Sequence, residues 1–190
     1  MILLVDNQDS FTFNLFQAVE TLGTRCLVVS AAEARPEVVR QLGPLGLILS
    51  PGPGNPDQAK ESLVLAQTFG GQLPILGVCL GHQVLGVAFG AKWRAAKRLV
   101  YGKGEEIWHP GQGILAGLPQ PFVAARYHSL ALEAPPPGFV ALAQTQDGEL
   151  MAMAHRSWPV FGLQFHPESF LTPAGNQILK NFLSLCLHGA

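Results

Sequence analysis

The residue whose context most clearly suggests chemistry is a cysteine in the segment PILGVCLGHQ, residues 74–83. Cys79 is the centre of Gly77–Gly81, which has the form Gly-x-nucleophile-x-Gly. That form is typical of a nucleophile on a sharp strand-to-helix turn, where a β-carbon at either glycine would collide with backbone. The start of the helix favours the thiolate, because free N–H groups and the positive dipole end face the sulfur. We therefore predict a nucleophile here, although a lone cysteine is more often structural, the role we assign to Cys26 and Cys186.

A nucleophilic cysteine needs a base and a group that orients the base, and the segment QFHPES, residues 164–169, offers both. His166 and Glu168 are two residues apart after an apolar strand, so in extended backbone their side chains point to the same side. The carboxylate can hold the imidazole in one tautomer while the other ring nitrogen faces a thiol. Alone, this His-x-Glu spacing is common, and the alternatives are a loop histidine for His166 and a solvated charge or helix cap for Glu168. Together with Cys79 it predicts a triad of nucleophile, base and orienting carboxylate.

A third segment, SPGPGNP at residues 50–56, follows another apolar strand. Its glycines allow backbone to approach a ligand closely, and its prolines make the loop stiff. An ordinary rigid turn is the alternative interpretation. We predict that the loop forms a wall of the pocket, and that Gly52 or a neighbour donates an N–H to an oxyanion. The first donor to that oxyanion is expected to be the backbone N–H of Leu80, directly after the nucleophile.

A sheet must position these segments, and the first half of the chain alternates apolar runs with helical patterns. The runs are continuously apolar, which is typical of parallel strands covered on both faces. Such a sheet is doubly wound and gathers its functional loops at the carboxyl ends of its strands. The predicted strands are 2–6, 25–30, 45–50 and 74–79, and the predicted helices are 9–23, 34–42, 58–69 and 80–90. Asp9 or Ser10 is expected to cap the N-terminus of the first helix, and Gly23 is expected to end it.

The second half is more strand-like, with apolar segments between Gly and Pro turns. The predicted segments are 91–100, 104–109, 122–130, 138–145 and 150–157, followed by a closing strand at 160–165 and a helix near 173–188. The fold class predicted is a single α/β domain over residues 1–190. It has a mostly parallel, doubly wound sheet with flanking helices and extra antiparallel strands in the second half.

Composition excludes several function classes. The 190 residues are 48% hydrophobic and 13% charged, with a net charge of −1, so a nucleic-acid or membrane-surface footprint is not expected. Three widely spaced cysteines are no disulfide framework and no zinc site, which predicts a reducing compartment. The N-terminus turns polar after five residues, so we expect neither a signal peptide nor a membrane span there. We therefore expect a cytoplasmic protein. We expect His109 and His155 at the surface and His188 in the tail.

Taken together, these segments resemble the class I, triad-type glutamine amidotransferases. PILGVCLGHQ is similar to their nucleophile segment, and GLQFHPES, residues 162–169, to their His/Glu segment. DNQDSFTFNL (6–15), SPGPGNP (50–56) and RYHSL (126–130) further resemble the small subunits of anthranilate synthase and aminodeoxychorismate synthase. The resemblance covers nearly the whole chain and implies one glutamine amidotransferase type 1 domain over residues 1–190.

The resemblance implies that glutamine is hydrolysed to glutamate and ammonia. Cys79 would attack the side-chain amide to form a glutamyl thioester, His166 would protonate the leaving ammonia and then activate water, and Glu168 would orient His166. Gln83 is four residues after Cys79, so it can face the same pocket, although a plain polar helix residue is the alternative. By motif position, glutamine would be held by Gly52, Pro53, Gly54, Leu80, Gln83, Ser129 and Leu130.

The resemblance also implies a partner. Free ammonia is mostly protonated at neutral pH and is then no nucleophile, so a useful enzyme must pass it on under cover. The expected partner is a chorismate-using synthase large subunit, component I of anthranilate synthase or of aminodeoxychorismate synthase, and glutaminase activity should rise on binding. No cofactor or metal is expected on this chain, and magnesium is expected on the partner.

Several alternatives stay open at this stage. The anthranilate branch of tryptophan synthesis is favoured over the folate branch on overall resemblance, and one subunit can serve both. The DNQDSFTFNL start argues against amidotransferases that feed carbamoyl phosphate, guanylate or imidazole glycerol phosphate synthesis. A stand-alone hydrolase of γ-glutamyl bonds and a non-catalytic regulatory subunit are further alternatives.

One segment departs from the family pattern. The chain has Tyr101-Gly102-Lys103 where relatives usually carry His-Gly-Lys. We expect this segment near the subunit interface and outside the triad, so that glutamine hydrolysis stays intact.

Overall fold

The computed structural model describes residues 1–188 and builds them around a seven-stranded sheet. The strands are β1 Ile2–Asp6, β2 Cys26–Ser30, β3 Gly46–Leu49, β4 Ile75–Val78, β5 Trp93–Ile107, β6 Phe122–Leu132, β7 Phe139–Gln144, β8 Leu150–His155 and β9 Val160–Leu163. The order across the sheet is β2-β1-β3-β4-β9-β8-β7, and β5 pairs with β6 in a separate antiparallel sheet. The first five strands in this order are parallel to one another. β8 pairs with β9 in the antiparallel direction, and β7 pairs with β8 in the same way. The predicted fold class is confirmed.

Helices cover both faces of the sheet. They are α1 Thr12–Thr21, α2 Pro36–Leu42, α3 Lys60–Phe69, α4 Leu80–Ala88 and α5 Gly175–His188, with 3₁₀ turns at Pro56–Gln58 and Gly113–Leu115. One core cluster packs α1 and α5 against the sheet, and the other packs α2, α3 and α4. Alternate residues of β1 belong to opposite clusters, which is why that strand is apolar throughout. None of the helices in residues 1–188 is long and apolar enough to span a membrane.

The ribbon of β5 and β6 differs from the prediction. The two segments predicted at 91–100 and 104–109 are one long strand, β5. Its pairing with β6 changes register between Ala95 and Val100 and again between Tyr101 and Lys103. Gly102 has a φ of +67°, a conformation that favours glycine and is typical of a bulge. In the sequence, Gly102 interrupts the strand-like pattern and so indicates a turn, which is why two strands were predicted in place of one.

The start of α1 also corrects a prediction. Asp9 or Ser10 was expected to cap this helix, but its N-cap position is Phe11, without a side-chain cap. Asp9 Oδ1 instead accepts from the Phe11 N–H at 2.8 Å. Asp6 Oδ1 accepts from Thr12 Oγ1 at 2.7 Å, so the carboxylate at the end of β1 turns the loop before the helix begins. The predicted stop is confirmed, because α1 ends just before Gly23, whose φ is +83°.

His109 was expected at the surface and is instead buried, with 3% of its area exposed. Its Nδ1 accepts from the Gly111 N–H at 3.0 Å, so the proton is on Nε2, which donates to the Pro119 carbonyl at 2.7 Å. The imidazole therefore links the backbone at Gly111 to the backbone at Pro119. His155 is half-buried and stacks on Trp158 with ring centroids 4.1 Å apart.

The two cysteines outside the predicted site occupy packed positions. Burial, with the charge of Glu20, raises the pKa of Cys26 to about 11. Burial raises the pKa of Cys186 to about 12. Both therefore stay protonated at neutral pH, as structural cysteines do. All three cysteines are free.

The close approach of α4 to β3 gives a prediction about stability. A β-carbon on Gly81 would collide with the carbonyl of Leu49, and backbone cannot move aside easily. Gly81→Ala should therefore lower the free energy of unfolding by about 3 kcal/mol. Gly104→Ala is the matched control, because its β-carbon would crowd only a methyl group of the exposed Val123, and it should cost less than about 1 kcal/mol. Urea unfolding of both variants tests this, and equal losses would contradict it.

Candidate active site

The two halves of the predicted triad meet because β4 and β9 are neighbours. Val78 at the end of β4 pairs with Leu163 at the end of β9, and the strands are parallel. The Cys79 N–H donates to the Leu163 carbonyl at 2.8 Å, which extends the ladder by one bond. Cys79 and His166 therefore leave the same edge of the sheet from adjacent strands, although they are far apart in sequence.

Cys79 lies on the sharp turn that the sequence predicted. Its φ is +52° and its ψ is −103°, a positive-φ conformation that costs a non-glycine residue about 1–3 kcal/mol. The surrounding backbone holds the strained residue, because its carbonyl also accepts from the Gln83 N–H at 3.2 Å. A β-carbon on Gly77 would collide with Gly81, and one on Gly81 with Leu49. Both glycines of the motif are thus required by close backbone approach.

His166 and Glu168 form a buried hydrogen-bonded pair. His166 Nδ1 lies 2.6 Å from Glu168 Oε1, and both side chains are almost fully buried. The backbone of His166 is fixed on both sides, since its N–H donates to the Ala125 carbonyl at 3.1 Å and its carbonyl accepts from Thr172 Oγ1 at 2.7 Å. The carboxylate sets the tautomer of the ring, as predicted, although Pro167 and Glu168 lie in a turn and not in the extended backbone that the prediction assumed.

The electrostatics of the pair favour the imidazolium. Burial acts to lower the pKa of His166, whereas the hydrogen bonds and charges of Cys79 and Glu168 act to raise it, and the pKa lies well above 6.5. His166 Nε2 makes no hydrogen bond of standard geometry with residues 1–188, yet Cys79 is near enough to act on its pKa. The ring therefore carries a proton that it can give to a leaving group.

Two aromatic rings that the sequence did not single out enclose the imidazole. The rings of Phe11 and Tyr127 meet His166 edge-on, with centroids 5.3 Å and 5.0 Å away. Phe11 belongs to the DNQDSFTFNL segment, so the loop turned by Asp6 has a direct role in covering the base. Tyr101, in the Tyr101-Gly102-Lys103 segment, is 70% exposed, and its ring centroid lies 5.3 Å from that of Tyr127.

Gln164 is a third residue that the sequence reasoning missed. Its Nε2 donates to Cys79 Sγ over 3.8 Å, and its Oε1 accepts from Gln83 Nε2 at 3.1 Å. The side chain is fully buried beside the nucleophile. Strand alternation could not have found it, because residues 164–168 lie in bends and a turn after the end of β9.

Four of the residues expected to bind substrate lie on α4 and β6, Leu80 and Gln83 on the helix and Ser129 and Leu130 on the strand. Gln83 Nε2 donates to the Leu130 carbonyl at 2.9 Å, which joins the helix after the nucleophile to the strand. Ser129 is exposed directly before Leu130. Gln83 and Leu130 are therefore in contact near the elbow, and the role of all four residues toward glutamine stays a prediction.

The SPGPGNP loop lies against the other side of the elbow. A β-carbon on Gly52 would come within 2.6 Å of the Leu80 side chain and 2.7 Å of Asn7 Cβ, so only glycine fits there. Pro53 and Leu80 line a cavity of about 300 Å³. Gly54 has a φ of +79°, which also favours glycine. The loop is therefore positioned as a wall beside the nucleophile, and its contact with substrate stays a prediction.

Metal-ligating side chains are not gathered around the nucleophile. Within residues 1–188, no group of three or more His, Cys, Asp or Glu side chains is arranged to hold a metal ion. The expectation that the chain works without a cofactor of its own stays a prediction.

Replacing Glu168 tests the electrostatics. Glu168→Gln removes a charge and a hydrogen bond that raise the pKa of His166, so that pKa should fall. Because the folded pKa of His166 is above its unfolded value, protonation stabilises the fold below about pH 6.5, and this stabilisation is lost as the pH rises through the folded pKa. The pH-dependent part of the unfolding free energy should therefore shrink in the variant. NMR titration of the histidine rings measures the shift, and an unchanged pKa would contradict this account.

Known proteins resemble this chain in sequence and in fold. The chain matches the family described as glutamine amidotransferase class-I over residues 3–186. It is 46% identical to anthranilate synthase component 2 of Thermus thermophilus, over 96% of this chain and 91% of that protein. It is 45% identical to aminodeoxychorismate/anthranilate synthase component 2 of Bacillus subtilis, over 96% of this chain and 95% of that protein.

A solved structure agrees with these relatives. A Thermoplasma acidophilum protein described as a component of GMP synthase superimposes with a TM-score of 0.87 and 26% identity, over 98% of this chain and 93% of that chain. The family match covers the elbow, the His/Glu pair and the SPGPGNP loop. The chain belongs to the class I glutamine amidotransferase family.

Proposed function

We propose that this chain is the glutamine amidotransferase subunit of anthranilate synthase, and that it supplies ammonia to a chorismate-using synthase subunit. The observation that carries the proposal is the placement of Cys79 and the buried His166–Glu168 pair on two adjacent strand ends. A cysteine, an imidazole and an orienting carboxylate together support acyl transfer through a covalent intermediate. The named relatives support the component 2 assignment.

The first step is acyl transfer to sulfur. The Cys79 thiolate attacks the side-chain amide carbon of glutamine, and a carbon–sulfur bond forms as the carbonyl becomes an oxyanion. The N–H of Leu80, with one from the Gly52 loop, stabilises that charge. The tetrahedral intermediate collapses as the carbon–nitrogen bond breaks, and the His166 imidazolium gives its proton to the leaving ammonia.

The second step is hydrolysis of the glutamyl thioester. His166, now neutral, takes a proton from water, and the hydroxide attacks the thioester carbon. Glutamate leaves as Cys79 regains its thiolate and His166 keeps the proton for the next cycle. Glu168 holds the same tautomer of the ring through both steps, because its bond to Nδ1 leaves only Nε2 to exchange protons.

Glutamine itself is held from both sides of the elbow. The Gly52-Pro53-Gly54 backbone forms one wall, next to Leu80. Gln83, Ser129 and Leu130 form the other, and Gln83 and Leu130 are joined by a hydrogen bond. The wall residues place the amide carbon over the Cys79 sulfur.

The nucleophile and the base are both largely buried, which supports control by the partner. Cys79 is 9% exposed and His166 is 2% exposed, so access of glutamine to the sulfur depends on the segments around it. We propose that docking of component I, anthranilate synthase type, raises glutaminase activity. The magnesium of the complex belongs to that partner. The three free cysteines support a cytoplasmic location.

A second candidate is the corresponding subunit of aminodeoxychorismate synthase, in the folate branch. The Bacillus subtilis relative is named for both activities, so one chain of this type can serve two synthases. The triad and the glutamine site are the same in either case. Only the product of the complex separates the two candidates.

The test uses the complex pulled from source lysate with tagged chain. Given chorismate, magnesium and glutamine, it should produce anthranilate, which is measured by fluorescence. Glutamate release without fluorescence would contradict the anthranilate assignment and favour the folate branch. The isolated chain should release glutamate more slowly than the complex, and equal rates would contradict control by the partner.

Cys79→Ala is the control for the mechanism. The variant complex should lose glutamine-dependent product and keep product formed from an ammonium salt, because only the glutaminase half-reaction needs the thiol. Glutamine-driven synthesis that persists in the variant would contradict the mechanism.

A further inference from the structure

Two buried polar residues on β6 have no part in the triad. Arg126 is 1% exposed and His128 is 3% exposed, and Arg126 Nε donates to His128 Nε2 at 3.0 Å. Arg126 Nη1 forms an ion pair with Glu105 on β5. Burying an arginine is unfavourable unless it is paired. The burial of Arg126 therefore indicates that its hydrogen bonds have a function.

The pair fixes the protonation of the imidazole. A guanidinium can only donate hydrogen bonds, so His128 Nε2 must accept and the proton must be on Nδ1. His128 Nδ1 then donates to the Leu130 carbonyl at 2.9 Å. Burial, with the charge of Arg126, lowers the pKa of His128 to about 4, so the ring is neutral at neutral pH.

The Leu130 carbonyl connects His128 to the residues beside the nucleophile. It accepts both from His128 Nδ1 and from Gln83 Nε2 at 2.9 Å. Gln83 Nε2 also donates to Gln164 Oε1 at 3.1 Å, and Gln164 Nε2 donates to Cys79 Sγ over 3.8 Å. With both amide hydrogens of Gln83 engaged, its Oε1 is the atom left to accept from a ligand N–H.

We propose that Arg126 and His128 are positioning residues for glutamine. They hold the Leu130 carbonyl, and through it the amide of Gln83, in the orientation that bound glutamine meets. Neither residue touches the reacting atoms. The inference rests on the proposed glutaminase function and adds two residues to it.

Glu105 links the hydrogen-bonded residues around Arg126 to the surface of the protein. Its carboxylate is 20% exposed and also pairs with Arg98, which is 57% exposed and bonded to Asp147. Exposed ion pairs hold geometry only weakly. Arg98→Ala should therefore leave the glutamine site unchanged.

The test compares two electrophiles that label Cys79 in the full chain, alone and in its complex. The diazoketone analogue of glutamine needs the glutamine site, whereas iodoacetamide needs only the thiolate. His128→Phe removes both hydrogen bonds of the ring at similar volume. We expect it to raise the inhibition constant of the diazoketone about tenfold and to change the iodoacetamide rate by less than about twofold.

His128→Asn is the conservative variant, because its amide can donate to the Leu130 carbonyl from nearly the position of Nδ1. It should restore the inhibition constant to within about threefold of the wild type. His155→Phe, the same substitution at a stacked histidine on β8, should change neither probe. A purely structural role would slow both probes alike in proportion to the unfolded fraction.

The outcomes separate this inference from the proposed function. A wild-type inhibition constant in His128→Phe, equal slowing of both probes, or no recovery in His128→Asn would overturn the inference. If the wild-type chain shows no saturable labelling by the diazoketone, the proposed function falls and the inference falls with it. A preference for the diazoketone that survives in His128→Phe overturns the inference alone.

Discussion

The pairing of β4 with β9 is the contact on which the rest of the site depends. It joins a strand from the middle of the chain to one near its end, and the Cys79 N–H completes the ladder at the Leu163 carbonyl. Parallel strands leave a sheet at the same edge, so this one register brings nucleophile and base together. A shift by one residue would turn the side chains of β9 to the opposite face. The two core clusters that cover the sheet hold this register.

Around that contact, the molecule holds groups that are unfavourable on their own. Cys79 is strained, Glu168 and His166 are buried, and Arg126 is a buried cation. Each persists because neighbouring bonds over-determine it, and the same bonds fix the geometry that chemistry requires. Burial also keeps bulk water away from the Cys79 and His166 side chains, which strengthens the electrostatic interactions between them. The consequence is a site whose nucleophile and base are both in place and largely buried.

The sequence predicted the parallel core and the triad because both have local patterns. Continuous apolar runs indicate buried parallel strands, the two glycines around Cys79 indicate the elbow, and the spacing of His166 and Glu168 indicates a shared side. The residues that were missed depend on long-range packing. Phe11 reaches His166 only through the loop turned by Asp6, and Gln164 contacts Cys79 only through the pairing of β4 with β9. The continuous β5 and the buried His109 were mispredicted because glycine and proline nearby indicate turns, and a turn residue can still be buried by its own hydrogen bonds.

The central claim is that Cys79 carries the glutamyl group during turnover. The most direct measurement is mass spectrometry of the complex after acid quenching during steady-state hydrolysis of glutamine. The account predicts a glutamyl adduct on the peptide that contains Cys79, which disappears when glutamine is exhausted and is never formed in Cys79→Ala. Glutamate release at the full rate with no adduct on Cys79, or with an adduct on another residue, would contradict it.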